Sequence, residues 1–323
     1  MMSPLARMII SRLFLGSLTL AAVSVIIFST VSMLPGNFAT AILGQSATLE
    51  TVAAFESHLG LDQPAATRYF KWVGGFLHGD LGESLSSNPG EPRFVADIVS
   101  SGLRNTLLLA GVTALIAVPL SIALGVLSAL YRGTTFDRLV NGVSLTTISV
   151  PEFFIAYILL IFLAVRLRWL PTLSNVSDGM SFVEWVRLMI LPVSTLTLGI
   201  VAHIMRMTRS AIIGVLSKPY IHMAKCKGAS PARVILRHAL PNAWAPIANV
   251  VAVNLAYLVV GVVVVETVFV YPGIGHTMVD AVRSRDIPVV QACALIFASA
   301  YILLNLLADI VAISTNPKLL RPR

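Results

Sequence analysis

Charged side chains are scarce in this sequence of 323 residues, where aspartate, glutamate, lysine and arginine together make up 12%. A soluble protein carries about twice that fraction. Hydrophobic residues reach 56%. Because each charge at the centre of a membrane helix costs roughly 2.5–3.5 kcal/mol on insertion scales, membrane spans retain few of them. The composition therefore indicates a membrane protein, and the net charge of +8 has to be interpreted by its position relative to the membrane.

Cysteine is almost absent too, with Cys226 in a basic segment and Cys293 in an apolar run, so no disulfide framework is expected. The sequence also lacks the glycine-rich loop followed by Lys-Ser or Lys-Thr that cradles nucleotide phosphates. We therefore expect that the chain does not hydrolyse ATP and is not an enzyme. His222 and Cys226 have a helical spacing that can hold a metal, but no further ligands lie nearby in the sequence, so no metal site is predicted.

Six apolar runs are long enough to cross a bilayer, which takes about 20 residues. Pro119 falls inside the second run, and Pro151 and Glu152 interrupt the third. The first run has no evident signal-peptide cleavage site, so we expect it to be retained as a span. The predicted spans cover residues 13–34, 106–130, 139–165, 189–214, 243–265 and 288–313.

Basic residues mark one side of these spans. An even number of spans places both termini on the same side, and the excess of lysine and arginine places that side in the cytoplasm. Arg166 and Arg168 fall on the outer side and are exceptions to this charge rule. Their side chains can snorkel to the membrane interface beside Trp169, which makes this placement tolerable. The basic residues of the cytoplasmic segments are Arg7, Arg12, Arg132, Arg138, Arg206, Arg209, Lys218, Lys225, Lys227, Arg233, Arg237, Lys318, Arg321 and Arg323.

The segment between the first two spans is polar and acidic, which is tolerated outside the cell. It predicts a small external subdomain with amphipathic helices at Thr48–Leu59 and Ala66–Leu77. Phe182–Leu188 is expected along the outer surface, and Glu266–Asp286 as an external re-entry segment. The predicted organisation is an N-terminus and first span (1–34), an external subdomain (35–102), a core of five spans (103–315) and a cytoplasmic tail (316–323).

The basic segment Lys218–Pro246 predicts two short helices. Pro219 suits a first helical turn and Gly228 a helix end. Ser230 is a candidate N-cap for a second helix, which Pro241 ends or bends. The apolar face of that second helix is predicted from Ala232, Ile235, Leu236, Ala239 and Leu240. The segment either docks into a separate cytoplasmic protein or is a plain basic loop.

Several short motifs follow one another in order along nearly the whole chain. The motifs are Leu34-Pro35-Gly36, Gly60-Leu61-Asp62-Gln63-Pro64, Gly79-Asp80-Leu81-Gly82, Ser84-Leu85, Ser149-Val150-Pro151, Glu266-Thr267-Val268-Phe269, Tyr271-Pro272-Gly273-Ile274-Gly275 and Asn316-Pro317-Lys318. Through them the sequence resembles ABC-type importer permeases of the dipeptide, oligopeptide and nickel group, in the half with a long first external loop.

The resemblance gives the basic segment a role. Permeases of this superfamily share Glu-Ala-Ala, three residues, Gly and a run ending near Leu-Pro. Here His222 and Met223 replace the first two residues, and Ala224 and Gly228 are retained. The resemblance implies a coupling helix that seats in a cleft of an ATPase subunit, with contacts from Tyr220, Ala224, Lys227, Gly228, Ala229, Leu240 and Pro241.

The resemblance also implies an all-α membrane protein with the six transmembrane helices of the type I ABC importer permease fold. The expected partners are a second permease subunit, two ATPase subunits that bind ATP and magnesium, a periplasmic binding protein and the lipid bilayer. No nucleic acid and no cofactor in the permease itself are expected. Transport would proceed by alternating access in the bacterial inner membrane, driven by ATP.

Glu152 is the first candidate for the translocation path, together with Pro151, because a carboxylate inside a span is costly and is by default a functional candidate. It would attract a cationic group such as a peptide amino terminus. The alternatives are a pair with a polar group on the partner chain or a position close enough to water. Asp309 is expected to pair with an arginine, such as Arg206, or with the partner permease. The candidate external gate comprises Glu266, Phe269, Pro272 and Gly273.

Two other functional classes are alternatives to an ABC importer permease. A secondary transporter or channel would act without ATPases and often shows matched repeats, which are not evident here. An intramembrane enzyme would need a catalytic motif inside the spans, and none is present. The substrate stays open among peptides, opines, glutathione-like compounds and nickel. Short peptides are favoured by resemblance, and His203, Met205 and Met207 are only a faint hint of nickel.

Overall fold

The computed structural model describes residues 4–33, 63–86, 92–177 and 179–314, with isolated positions 48, 50 and 52. The described chain is helical, apart from a single bridge between Glu83 and Phe94. The helices are α1 (Pro4–Ser32), α2 (Ala65–His78), α3 (Val95–Leu130), α4 (Thr135–Ser149), α5 (Glu152–Leu159), α6 (Phe182–Leu216), α7 (Pro219–Cys226), α8 (Pro231–Arg233), α9 (Leu240–Phe269), α10 (Ile274–Arg283) and α11 (Ile287–Ser314). Two π-helical segments, Leu160–Arg166 and Val234–Ala239, continue α5 and α8.

Five described helical stretches are long and apolar enough to cross a membrane: 9–31, 95–130, 182–216, 231–259 and 287–311. Two bent pairs pass the same test. One joins α4 to α5 and its π-helical continuation at 107°, and the other comprises the end of α9 followed by α10. Counting the first pair as one span gives the predicted six. The break in this pair falls at Pro151, which cannot continue the hydrogen bonding of α4.

Contacts divide the described residues into two compact units. The larger falls within Met1–Phe14, Thr106–Pro272 and Ala300–Arg323, and the smaller within Leu15–Asn105 and Gly273–Ser299. In the larger unit, α6 packs against α4, α5 and α9. Its main core is apolar and contains Leu109, Ala117, Ala156, Leu191, Leu196, Ile204, Val262 and Phe269.

Gly125 lets α3 and α6 approach closely inside the larger unit. A Cβ atom added there would lie 2.7 Å from Cβ of Thr208 and 2.9 Å from the carbonyl oxygen of Met205. Small residues at a helix crossing allow this approach, and any side chain beyond hydrogen would push the helices apart.

In the smaller unit, Asp286 contacts the segment after the turn at 79–82. Its buried carboxylate accepts hydrogen bonds from the Ser84 hydroxyl and from the backbone amides of Leu85 (3.2 Å) and Ser86 (3.3 Å). The predicted helix at Ala66–Leu77 is confirmed as α2. The predicted helix Thr48–Leu59, the motifs Leu34-Pro35-Gly36 and Asn316-Pro317-Lys318 and the tail 316–323 lie wholly or mostly outside the described residues.

Two helices are longer than predicted. Phe182–Leu188 is the first part of the 35-residue helix α6, whose start is capped by Ser181, and its expected place along the outer surface stays a prediction. The second helix of the basic segment is not short either. From Pro231 the chain stays helical through a π-helical segment into α9, so Pro241 does not end it. Because the wider π turn precedes Pro241, the helix accommodates a residue that lacks a backbone N–H.

Candidate functional site

The basic segment forms a helix whose end was correctly predicted. Pro219 occupies the first turn of α7. Gly228 adopts φ +80°, a left-handed conformation that favours glycine, and its N–H donates to the Lys225 carbonyl at 2.9 Å. The N–H of Ala229 then donates to the Ala224 carbonyl at 3.2 Å. These bonds close the C-terminal end of α7 and turn the chain sharply toward α8.

Ile221 anchors α7 to the rest of the larger unit. Its side chain is fully buried in an apolar cluster with Ala129 of α3, Ile212 of α6 and Ala243 of α9. Burial of such a side chain stabilises the folded chain by about 1.5–3 kcal/mol. The coupling candidate is therefore fixed to helices that continue into the membrane-spanning part.

The other side of α7 is exposed and mixes apolar with basic side chains. Tyr220 and Met223 are 47% and 60% exposed, and Lys227 and Gly228 are also exposed. Of the other predicted contact residues, Ala224, Ala229 and Leu240 are half-buried and Pro241 is exposed. An aromatic and a methionine side chain on a short helix, with a lysine directly after it, suit insertion into a groove of another protein.

The apolar face predicted for the second helix is only partly right. Ile235 and Ala239 are buried as expected, but Ala232 and Leu236 are exposed, and Val234 is buried instead. The prediction assumed 3.6 residues per turn throughout. The i→i+5 hydrogen bonding of Val234–Ala239 widens the turn and moves the side chains off that face.

A polar network between α4 and α6 was missed in the sequence. The buried carboxylate of Asp137 on α4 accepts two hydrogen bonds from Arg209 on α6, at 2.7 and 2.8 Å. It also accepts from Ser128 Oγ (2.5 Å), Asn141 Nδ2 (2.8 Å) and the Gly133 amide (2.9 Å). Five donors offset the cost of burying the carboxylate. One sequence signal could have indicated this network. Asp137 is the acidic residue in the otherwise basic turn between the second and third predicted spans.

Glu152 lies in the first turn of α5, directly after the bend at Pro151. Its side chain is half-buried, and its Oε2 atom lies 3.9 Å from the position that a Cβ atom of Gly261 on α9 would occupy. In the part of the chain that the structure describes, its carboxylate has no hydrogen-bond or ion-pair partner. Pro151, Phe153, Phe154 and Tyr157 around it are exposed. An unpaired carboxylate among aromatic side chains can attract a cation.

The gate candidates of the larger unit are buried. Glu266 has no exposed surface, and its Oε1 accepts a hydrogen bond from Thr106 Oγ1 at 2.5 Å. Phe269 is also fully buried, and its carbonyl accepts from the Ser174 amide at 2.8 Å. Pro272 is half-buried. In the smaller unit, Gly273 precedes α10 and its carbonyl accepts from the Thr277 amide. The gate assignment stays a prediction.

Asp309 pairs with an arginine, as predicted, but the arginine is Arg12 and not the suggested Arg206. Its carboxylate lies 3.1 Å from Nε of Arg12 on α1, within the larger unit. Sequence separation hid this pair, because Arg12 and Asp309 come from the first and last described helices. His222 and Cys226 are both exposed, and the described residues contain no cluster of three or more His, Cys, Asp or Glu side chains that could hold a metal.

Comparison with known proteins gives consistent similarities. Residues 121–321 match the family model of the binding-protein-dependent transport system inner membrane component, and residues 5–90 match the N-terminal model of such membrane components. The probable peptide ABC transporter permease protein y4tP of Sinorhizobium fredii is 36% identical over 311 residues, covering 96% of this chain and 98% of that protein. The glutathione transport system permease protein GsiC of Escherichia coli K12 is 36% identical over 299 residues, covering 93% and 94%.

A likeness to solved structures concerns the fold alone. An inward-facing structure of the MetNI methionine ABC transporter contains a chain that aligns with a TM-score of 0.55 at 17% identity. The alignment covers 68% of this chain and 96% of the other. The predicted all-α importer fold is therefore confirmed for the aligned part.

Proposed function

This chain belongs to the inner-membrane components of binding-protein-dependent transport systems, and from that premise we propose that it imports short peptides or glutathione-like compounds. The chain is the multi-pass permease of an ABC importer and is not itself catalytic. Membership of the family implies an ATPase and a binding protein as partners. The substrate proposal is supported by the names of two relatives that are each 36% identical to this chain.

The proposed assembly contains this chain, a second and different permease subunit, two ATPase subunits and a periplasmic binding protein, in the bacterial inner membrane. Both termini lie in the cytoplasm in this proposal. The ion pair between Arg12, near the start of α1, and Asp309, near the end of α11, supports this placement of the termini. The pair puts these two helix ends on the same side of the membrane. The organisation into 1–34, 35–102, 103–315 and 316–323 is retained as part of the proposal.

In this proposal α7 is the coupling helix. The observation that carries it is the two-sided character of α7: Ile221 is fully buried while Tyr220 and Met223 are exposed. Tyr220, Ala224, Lys227, Gly228 and Ala229 would contact the ATPase directly. Leu240 and Pro241 would lie where the exposed segment passes into α9. A displacement of α7 would be transmitted to α3, α6 and α9 through the apolar cluster that contains Ile221.

Glu152 and Pro151 are proposed to line the translocation path. Support comes from the half-buried Glu152 carboxylate, which has no partner within the described chain, and from the bend directly before its helix. A helix that starts at a bend can change direction when the transporter alternates. Glu266, Phe269, Pro272 and Gly273 are proposed as the external gate, where the buried Glu266 carboxylate holds the outer end of α9 to Thr106.

Reconstitution tests this function. The chain is expressed with its neighbouring transport subunits, purified, and inserted into proteoliposomes with the binding protein on one side and ATP on the other. We expect uptake of a radiolabelled dipeptide or of glutathione that requires both ATP and the binding protein. Competition with unlabelled dipeptide, glutathione and Ni²⁺ identifies the substrate class. Uptake that continues without ATPase subunits would contradict the proposed mechanism.

A further inference from the structure

Helix α2 is amphipathic, yet none of its residues is buried within the described structure. Three sectors run along it. One sector, with Tyr69 and Trp72, faces α1. A second carries Phe70 and Leu77, which are 72% and 77% exposed. A third is polar and includes Lys71, whose Nζ donates to Gln63 at 2.9 Å. An apolar sector this exposed needs an apolar environment in the assembled protein.

The contacts between α2 and α1 lie within the smaller unit and are specific. The hydroxyl groups of Tyr69 and Ser24 are 2.8 Å apart. The ring of Phe28 lies 5.5 Å from that of Tyr69 and 6.0 Å from that of Trp72, measured between centroids. The guanidinium carbon of Arg68 lies 5.8 Å from the centroid of Phe28. These groups fix the level at which α2 crosses α1.

That level falls within the apolar span of α1, which covers residues 9–31. At a rise of 1.5 Å per residue, Phe28 lies about 5 Å and Ser24 about 10 Å below the outer end of that span. The outermost part of the hydrocarbon layer and the headgroup region together reach this depth. The contact between Tyr69 and Ser24 therefore holds this part of α2 at the depth of the outer membrane interface.

The composition of α2 matches that depth. Tyrosine and tryptophan are enriched at the membrane interface. Arg68 and Lys71 are suited to lipid phosphates, and Arg68 has a buried Nε without a hydrogen-bond partner among the described residues. We propose that α2 is seated in the outer leaflet of the membrane, with Phe70 and Leu77 among acyl chains and Arg68 and Lys71 at lipid headgroup phosphates.

The competing occupant of this apolar sector is the periplasmic binding protein. The depth of the Tyr69–Ser24 contact favours lipid, because a soluble protein approaches the permease from the aqueous side. Residues outside α2 are left for that docking. The proposal depends on α2 and α1 alone, and holds whichever substrate is transported.

Spin labels measure this directly in the purified complex in nanodiscs of phosphatidylethanolamine and phosphatidylglycerol. In a background with Cys226 and Cys293 replaced by serine, Phe70→Cys and Leu77→Cys place labels on the apolar sector. Lys71→Cys, adjacent in sequence, is the matched control on the polar sector. We expect the ratio of collisions with oxygen to collisions with a water-soluble nickel chelate to be severalfold higher at positions 70 and 77 than at 71.

Adding the binding protein with ATP should leave that ratio at positions 70 and 77 unchanged. Equal accessibility to the nickel chelate at all three positions would overturn the proposal. Protection of positions 70 and 77 only when the binding protein is present would overturn it too, and would assign this face to docking. As a check on folding, each labelled variant must retain uptake close to that of the cysteine-free background.

Discussion

Arg209 on α6 donates two parallel hydrogen bonds to Asp137 on α4, from Nε at 2.7 Å and from Nη2 at 2.8 Å. This pair joins α4, which leads to the candidate translocation path, to α6, which leads to the candidate coupling helix. Beyond Asp137, α4 runs to the bend in front of Glu152, and beyond Arg209, α6 runs to α7. We therefore expect a displacement of α7 to carry α4 with it.

Replacing Asp137 tests this connection. In Asp137→Asn the guanidinium of Arg209 loses its charged partner in a site where both groups are mostly buried. Removing one partner of a buried ion pair costs about 3–5 kcal/mol. We expect a clear fall in the thermal unfolding temperature of the purified complex. The control is Arg138→Gln at the next, exposed position, which should unfold as the wild type does; equal losses in both variants would contradict the role of the pair.

Gly228→Ala tests the end of α7. A non-glycine residue in the left-handed conformation costs roughly 1–2 kcal/mol, so alanine at φ +80° strains the turn that positions the coupling residues. We expect less ATPase to copurify and slower uptake. Gly214→Ala is the matched control, because a Cβ atom there meets no atom within 4 Å and alanine favours the helix. Wild-type uptake by Gly228→Ala would argue against α7 as the contact.

Glu152→Gln tests the path. Loss of the carboxylate should lower uptake of peptides with a free, positively charged amino terminus, while assembly with the ATPases is unchanged. N-acetylated peptides, which lack that charge, should be transported equally by the variant and the wild type. Glu184→Gln, an exposed carboxylate in the first turn of α6, serves as the control. Unchanged uptake of both peptide types would remove Glu152 from the path.

Gly125→Ala tests the crossing of α3 and α6. Its Cβ atom would come within 2.9 Å of both Thr208 and the Met205 carbonyl oxygen. Overpacking of this kind costs about 1–3 kcal/mol, so we expect a lower unfolding temperature. Gly111→Ala, on the same helix, adds a methyl group into open space and should be neutral or stabilising. Adding Thr208→Ala should restore only part of the loss, because alanine keeps the Cβ atom at 2.7 Å and the Met205 carbonyl oxygen stays at 2.9 Å.

Much of the candidate coupling site was predictable from local sequence. Gly228 ends α7, and Ser230 caps the next helix through the Arg233 amide, because both effects depend on residues within one helical turn. The prediction of the apolar face of the second helix was only partly right. Its π-helical turn changes the periodicity, and no residue from Val234 to Ala239 signals that change.

The sequence by itself determined the class of the protein, the number of apolar runs, and the helix ends at Ser230 and Gly228, because hydrophobic length and capping act over a few neighbouring residues. Only the tertiary structure decided that Asp309 pairs with Arg12, that Asp137 pairs with Arg209, and that Tyr69 reaches Ser24. These pairs join helices that are remote in sequence. Their geometry follows from how the apolar helices pack, and that packing leaves no local pattern of charge or spacing.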